Sequence, residues 1–239
     1  MSEELTPYRI EPIALSNEST VVAEFLPDRV RETAYQSEAD LEKAFIKQLQ
    51  LQAYEYLPIT SETDLTANLR RQLEQLNKTT FSDAEWDRFF TTCIAGANDG
   101  IVEKTTRIQE DHIQVLKRDD GTVKNIYLID KQHIHNNSLQ VINQYEAEGA
   151  RANRYDVTVL VNGLPMVHVE LKRRGVDIRE AFNQINRYQR DSFWAGSGLF
   201  EYMQLFVISN GTLTKYYSNT VRDGHLAEQR SKRSRQKTS

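Results

Sequence analysis

Cysteine is nearly missing. Cys93 stands alone in 239 residues, so neither an intrachain disulfide nor a cysteine-rich zinc cluster can form. No apolar run approaches the roughly 20 residues that a membrane span requires. The opening residues, MSEELTPYRI, lack the basic-then-apolar order of a signal peptide. A cytoplasmic protein is the expectation from these absences. Excess positive charge is missing too. The formal net charge is −4 and the isoelectric point lies near 5.8, which argues against a globally basic nucleic-acid binder. The phosphate-loop pattern G-x4-G-K-[ST] does not occur, and internal repeats are not found.

What is present reads as one sizeable α/β domain with room for an accessory lobe: 39% of residues are hydrophobic and 27% charged. The charge is uneven. Between Glu170 and Arg190 stand Lys172, Arg173, Arg174, Arg179, Arg187 and Arg190, against Glu170, Asp177 and Glu180. The tail EQRSKRSRQKTS is basic as well. Such strips suit a polyanion, and a solvated face accounts for them equally well.

Residues 1–36 read as an extended segment. A helix is expected from Ser37, where Ser37 and Asp40 resemble a capping box with a shortened acid, and Leu41, Phe45 and Leu49, then Leu51 or Tyr54, share a face. Residues 64–77 and 82–96 read as two more amphipathic helices, within an accessory insertion over 62–96. Then come a hairpin over 111–130 around Asp119-Asp120-Gly121 and a strand over 138–147. A hairpin over 155–172 follows, with a helix over 177–194 and a strand pair over 203–217 turning at Asn210-Gly211. This order implies a mixed central sheet flanked by helices, with the main domain over 37–220. From Arg222 the chain is polar and lacks a closing apolar element, so residues 221–239 read as a basic linker toward something longer.

The hairpin YDVTVLVNGLPMVHVELKRR raises the functional question. Asn162-Gly163 is a strong two-residue turn signal, yet Asp156, Glu170 and Lys172 are placed in its strands, where unpaired charge is costly. Glu170 and Lys172 share a face with His168. A plain two-residue turn would set Asp156 opposite Val169. Only one irregular residue, a three-residue loop or a bulge, sets Asp156 opposite Glu170, and such an irregularity is expected. Two converging carboxylates then make a hard oxygen site suited to Mg²⁺, with the backbone carbonyl of Leu171 as a further ligand and Lys172 beside the ion. That arrangement suits metal-assisted phosphodiester hydrolysis. A structural ion pair on a solvated sheet face is the plainer alternative. Glu42, on the first helix, is a candidate additional carboxylate. Gln184 and Tyr188 lie one turn apart on the helix after the hairpin, a suitable pair for holding a DNA backbone.

Asp156, Glu170-Leu171-Lys172 and Gln184-x3-Tyr188 resemble the PD-(D/E)xK nuclease signature with its Q-x3-Y extension; Tyr155 stands where the signature has its proline. More narrowly, NIYLID, ANRYDVTVLVNGLP, ELKRRGVDIREAFNQINRY and QLFVISNGT resemble the N-terminal nuclease domain of the restriction (R) subunit of type I restriction-modification enzymes. The likeness runs from about Ser37 to about Thr220. It implies a restriction-endonuclease-like fold and cleavage of double-stranded DNA. It implies Asp156 and Glu170 as Mg²⁺ ligands, Lys172 as the catalytic lysine, and Gln184 and Tyr188 as DNA-engaging residues; Arg187, on the same helix, is a further candidate DNA contact. Either Glu42 or Glu38, one turn apart on the first helix, is expected to complete the site. The family's ATP-driven motor would lie outside this stretch, and modification and specificity subunits would be partners through the full-length subunit. Two alternatives stay open: a stand-alone repair or recombination nuclease of the same fold, and a catalytically silent docking module.

Overall fold

The computed structural model describes residues 9–15, 21–26, 37–148 and 152–219. In chain order the elements are β1 (Arg9–Leu15), β2 (Val21–Leu26), α1 (Glu38–Leu51), β3 (Glu55–Tyr56), α2 (Glu62–Asn77), α3 (Asp83–Phe89), α4 (Ile101–Gln109), β4 (Ile113–Lys117), β5 (Val123–Tyr127), β6 (Leu139–Glu148), β7 (Ala152–Val161), β8 (Leu164–Leu171), α5 (Ile178–Asp191), β9 (Leu205–Ser209) and β10 (Thr214–Ser218). Eight strands form one sheet in the order β1-β2-β10-β9-β8-β7-β6-β3, and β4-β5 form a separate ribbon. The pairs β8-β9 and β3-β6 are parallel, and the other strand pairs are antiparallel. The parallel β8-β9 pair follows from its connection, since a crossover helix, α5, returns the chain to the same end of the sheet. This is the mixed sheet flanked by helices that the element order implied.

The helix starts are set by short polar side chains. Ser37, Ser61 and Ser82 accept from the backbone N–H of Asp40, Asp64 and Glu85, and Asp177 accepts from Arg179. Each satisfies an N–H that the first helical turn leaves without a partner.

The sheet divides two apolar clusters. On one face α1 packs Ile46 and Leu49 onto Val141, Val157, Val159, Val169 and Leu171. On the other, α5 and the lobe built from α2, α3 and α4 pack against Ile142, Leu160, Met166, Phe206 and Ile208. The buried face of α1 is rotated from the expected one. Ile46 and Glu42 are inside, Leu41 and Phe45 are half-buried, and Leu51 is 80% exposed. The expected helix over 82–96 is α-helical only to Phe89 and widens to a π-turn over Phe90–Ile94. Helix α4 was not expected, and residues 9–15 and 21–26 are strands at the far edge of the main sheet. Among the described residues no helix is long and apolar enough to cross a membrane.

Candidate active site

The 155–172 hairpin contains the irregular residue that convergence requires. Asn162 and Gly163 have φ of 51° and 82°, the two left-handed residues of a tight hairpin turn. Gly163 is required twice over, because a Cβ there would stand 2.6 Å from the Cα of Leu69 in α2. The register begins plainly, with Val161 opposite Leu164 and Leu160 opposite Pro165. It then slips by one, so that Val159 faces Val167 and Val157 faces Val169. Met166 is the extra residue, a β-bulge within β8, and its carbonyl accepts from the N–H of Gln204 at 2.9 Å. Continued by one step, this register sets Asp156 opposite Glu170. Asp156 Oδ2 accepts from the N–H of Leu171 at 2.9 Å.

A second irregularity flanks Asp156 from the other side. Gln144, opposite Asp156 on β6, has φ of 53°. Along β7, Val157 belongs to the cluster under α1, whereas Tyr155 belongs to the cluster under α5. Residues two apart should share a face, so the alternation breaks at Asp156. The break lets the side chains of both Asn143 and Gln144 donate to the Glu42 carboxylate, the second at 2.5 Å. Glu42 is thereby fixed near the site, and its charge bears on Asp156. Glu38, the other candidate on α1, accepts instead from the N–H of Arg173 at 3.2 Å.

Glu170 is fully buried and both its oxygens are engaged. Oε1 accepts from Lys172 Nζ at 2.9 Å, and Oε2 lies 3.3 Å from His168 Nε2. Desolvation pushes the Asp156 carboxyl up to about 7, the Glu170 charge adding to the rise and the Leu171 N–H, then Lys172, opposing it. Burial works against the Lys172 ammonium, yet the charge and hydrogen bond of Glu170 outweigh it and hold its pKa above the ordinary lysine value.

Such a site is short of positive charge where its carboxylates meet. Among the described residues no three acidic, histidine or cysteine side chains gather as a ready metal set. Two carboxylates with one nearby backbone carbonyl do not make the fuller oxygen shell of Ca²⁺, but they fit Mg²⁺, which keeps several waters and takes one or two carboxylates. The donor chemistry therefore suits the ion that the sequence pattern implied.

Gln184 and Tyr188 lie beside this cluster. Gln184 Nε2 donates to the Tyr188 hydroxyl, which donates to the carbonyl of Arg154 at 3.0 Å. Tyr188 is 1% exposed, and burial raises its phenol well above the usual range. The pair thus braces α5 against β7 two residues before Asp156, a contact that the sequence reading missed. Arg187 is exposed, with its guanidinium 5.4 Å from the Tyr188 ring centre. Asn143 and Gln144 were also missed; two adjacent amides within the run VINQY were the available signal.

Residues 35–225 match the family model described as the type I restriction enzyme R protein N terminus. The chain belongs to that family. It is 51% identical over 213 residues to the EcoprrI type I restriction enzyme endonuclease subunit of Escherichia coli, covering 89% of this chain and 68% of that protein. It is 43% identical over 197 residues to a type I restriction enzyme endonuclease subunit of Staphylococcus saprophyticus, covering 80% of this chain and 20% of that one. The corresponding subunit of Haemophilus influenzae is 27% identical over 202 residues, and the match spans 19% of its length. This R-protein N-terminal domain therefore spans about a fifth of the staphylococcal and Haemophilus relatives. The matched span includes the Met166 bulge, the Asp156, Glu170 and Lys172 cluster, and the Gln184–Tyr188 brace.

Proposed function

We propose that this domain is the Mg²⁺-dependent nuclease module of a cytoplasmic type I restriction enzyme and that it hydrolyses phosphodiester bonds of double-stranded DNA. One observation carries the reading: a bulge places two carboxylates and a lysine together at the cost of burying like charges side by side. A solvated ion pair would need neither the bulge nor the burial. Asp156 and Glu170, with the Leu171 carbonyl, are the residues to hold Mg²⁺, and Glu42 orders the far side. When bound there, Mg²⁺ polarises the phosphate and helps to generate hydroxide. Lys172, cationic and beside Glu170, offsets the negative charge that develops on the phosphate.

Gln184 and Tyr188 fix the approach of α5 to the site, and exposed Arg187, Arg173 and Arg179 are available to backbone phosphates. Such contacts position DNA without reading its sequence. Recognition would come from the specificity and modification subunits, and ATP would act only through a motor elsewhere in the full-length subunit. The surplus of three positive charges over residues 170–190 (six basic against three acidic) is small for capturing a duplex at physiological salt. The full-length subunit, assembled with its partners, is therefore the proper test object. Lys172→Ala should lower cleavage by about 10²–10³-fold, the scale of removing one transition-state stabiliser, while Mg²⁺ affinity persists. Wild-type cleavage by that variant would refute the assignment.

A further inference from the structure

Two buried polar atoms near Glu170 have no hydrogen-bond partner: Nδ1 of His168 and Oγ1 of Thr158. They are not independent. Thr158 on β7 and His168 on β8 are direct cross-strand partners, and they are 1% and 0% exposed. Directly opposed residues share a sheet face with Cβ atoms about 4.5–5.5 Å apart. Buried groups without partners are uncommon, and each one calls for an explanation.

Their chemistry is complementary. His168 Nε2 faces Glu170 Oε2 at 3.3 Å. An ionised carboxylate only accepts, so this contact needs the proton on Nε2. A neutral imidazole carries one N–H, which leaves a lone pair on Nδ1 in want of a donor. The rings of Tyr155, Tyr188 and Phe193 surround the imidazole at 5.6, 5.8 and 6.0 Å. Neither phenol serves, because Tyr155 donates to Ser192 Oγ and Tyr188 to the Arg154 carbonyl. The Thr158 hydroxyl remains, and it rotates to suit.

We propose that Thr158, His168 and Glu170 form a relay: the Thr158 hydroxyl donates to Nδ1, directly or through one buried water, and Nε2–H donates to Glu170. The relay fixes Oε2 of Glu170 from inside the sheet, while Oε1 stays with Lys172. His168 and Thr158 are positioning residues, since neither meets the substrate. The functional part of this inference rests on Glu170 being a metal ligand. Partners that orient ligating carboxylates have measurable weight, and their loss lowers metal affinity about 10–100-fold.

The test joins two measurements on the 239-residue chain. Imidazole ¹⁵N spectra of the metal-free protein report the relay itself, and calorimetric Mn²⁺ titration reports its consequence. The proton of His168 should sit on Nε2, with the Nδ1 signal displaced by an accepted hydrogen bond. Thr158→Val, nearly isosteric, should return Nδ1 to its free position and weaken Mn²⁺ binding about 10–100-fold. His168→Gln, whose amide can still donate to Glu170, should retain more affinity than His168→Leu. A proton on Nδ1, or a Thr158→Val variant with unchanged Nδ1 signal and affinity, would overturn the relay. A wild-type chain that bound no Mn²⁺ would instead overturn the metal reading, and the nitrogen spectra alone would then judge the relay.

Discussion

Glu85, in the first turn of α3, and Asp156, in β7, are two carboxylates drawn largely out of water. Glu85 receives the backbone N–H of Ser82 and of Asp119, at 3.0 and 2.9 Å, and pairs with Arg118 at 3.1 Å. Those backbone hydrogen bonds hold its pKa below the ordinary glutamate value. Asp156 receives one backbone N–H, from Leu171, and burial first, then the charge of Glu170 and more weakly that of Glu42, push its carboxyl up to about 7. The first carboxylate closes a capping box and ties the β4-β5 ribbon to the lobe. The second is held where nothing in the fold neutralises it fully. Architecture surrounds a buried charge with donors, and a carboxylate left short of them is a candidate for function.

The comparison breaks most visibly at Glu85. Glu85→Ala removes the acceptor for two backbone N–H groups and the ion pair of Arg118, so the thermal midpoint of the isolated chain should fall by several degrees. Mn²⁺ affinity of the folded fraction should not change. A variant as stable as the wild type would show that the capping box contributes little.

Asp156 should behave in the opposite sense. An unfolded aspartate titrates near about 3.9, whereas the folded Asp156 titrates near about 7. Between those values the folded chain binds more protons than the unfolded one, so stability falls as pH rises from about 4 to 7 and levels off above. Glu85, depressed in the fold, contributes stability above the unfolded glutamate pKa and loses it as pH falls. Asp156→Asn should flatten the slope between pH 4 and 7 without lowering stability at pH 7. Denaturant unfolding at several pH values measures both. A slope unaltered by Asp156→Asn would assign it to other groups.

The sequence made the scaffold legible where one residue type has one local use. Ser37, Ser82 and Asp177 mark helix starts, whereas the helix expected from residue 64 begins at Glu62 behind Ser61, and Asn162-Gly163 marks a turn that glycine alone completes against Leu69. The need for a bulge was also legible, because alternation put Asp156 on the wrong side without it. Its place at Met166 was not, since neighbouring apolar residues carry the slip equally well and the choice is made by packing and by the Gln204 N–H. Helix α4 escaped because its cap is Gly100 and its buried residues are Lys104, Thr105 and Ile108, so it lacks an apolar stripe. Lys104 is tolerated inside through the carbonyls of Gly198 at 2.8 Å and Ser197 at 3.4 Å and through Glu201 at 3.0 Å, partners distant in the chain. Within the candidate site, the convergence of Asp156, Glu170 and Lys172 was readable from spacing and resemblance. The left-handed Gln144, the amides on Glu42 and the Tyr188 hydroxyl on Arg154 depend on tertiary contacts that no local pattern encodes.

The central claim, that Asp156 and Glu170 share one divalent ion, is tested most directly by diffraction from crystals of the chain soaked in Mn²⁺, with data collected for anomalous scattering. The account predicts an anomalous peak between the two carboxylates, retained in Lys172→Ala and absent in Glu170→Gln. A peak held by Asp156 and Glu42 without Glu170, or a peak that survives Glu170→Gln, would contradict it.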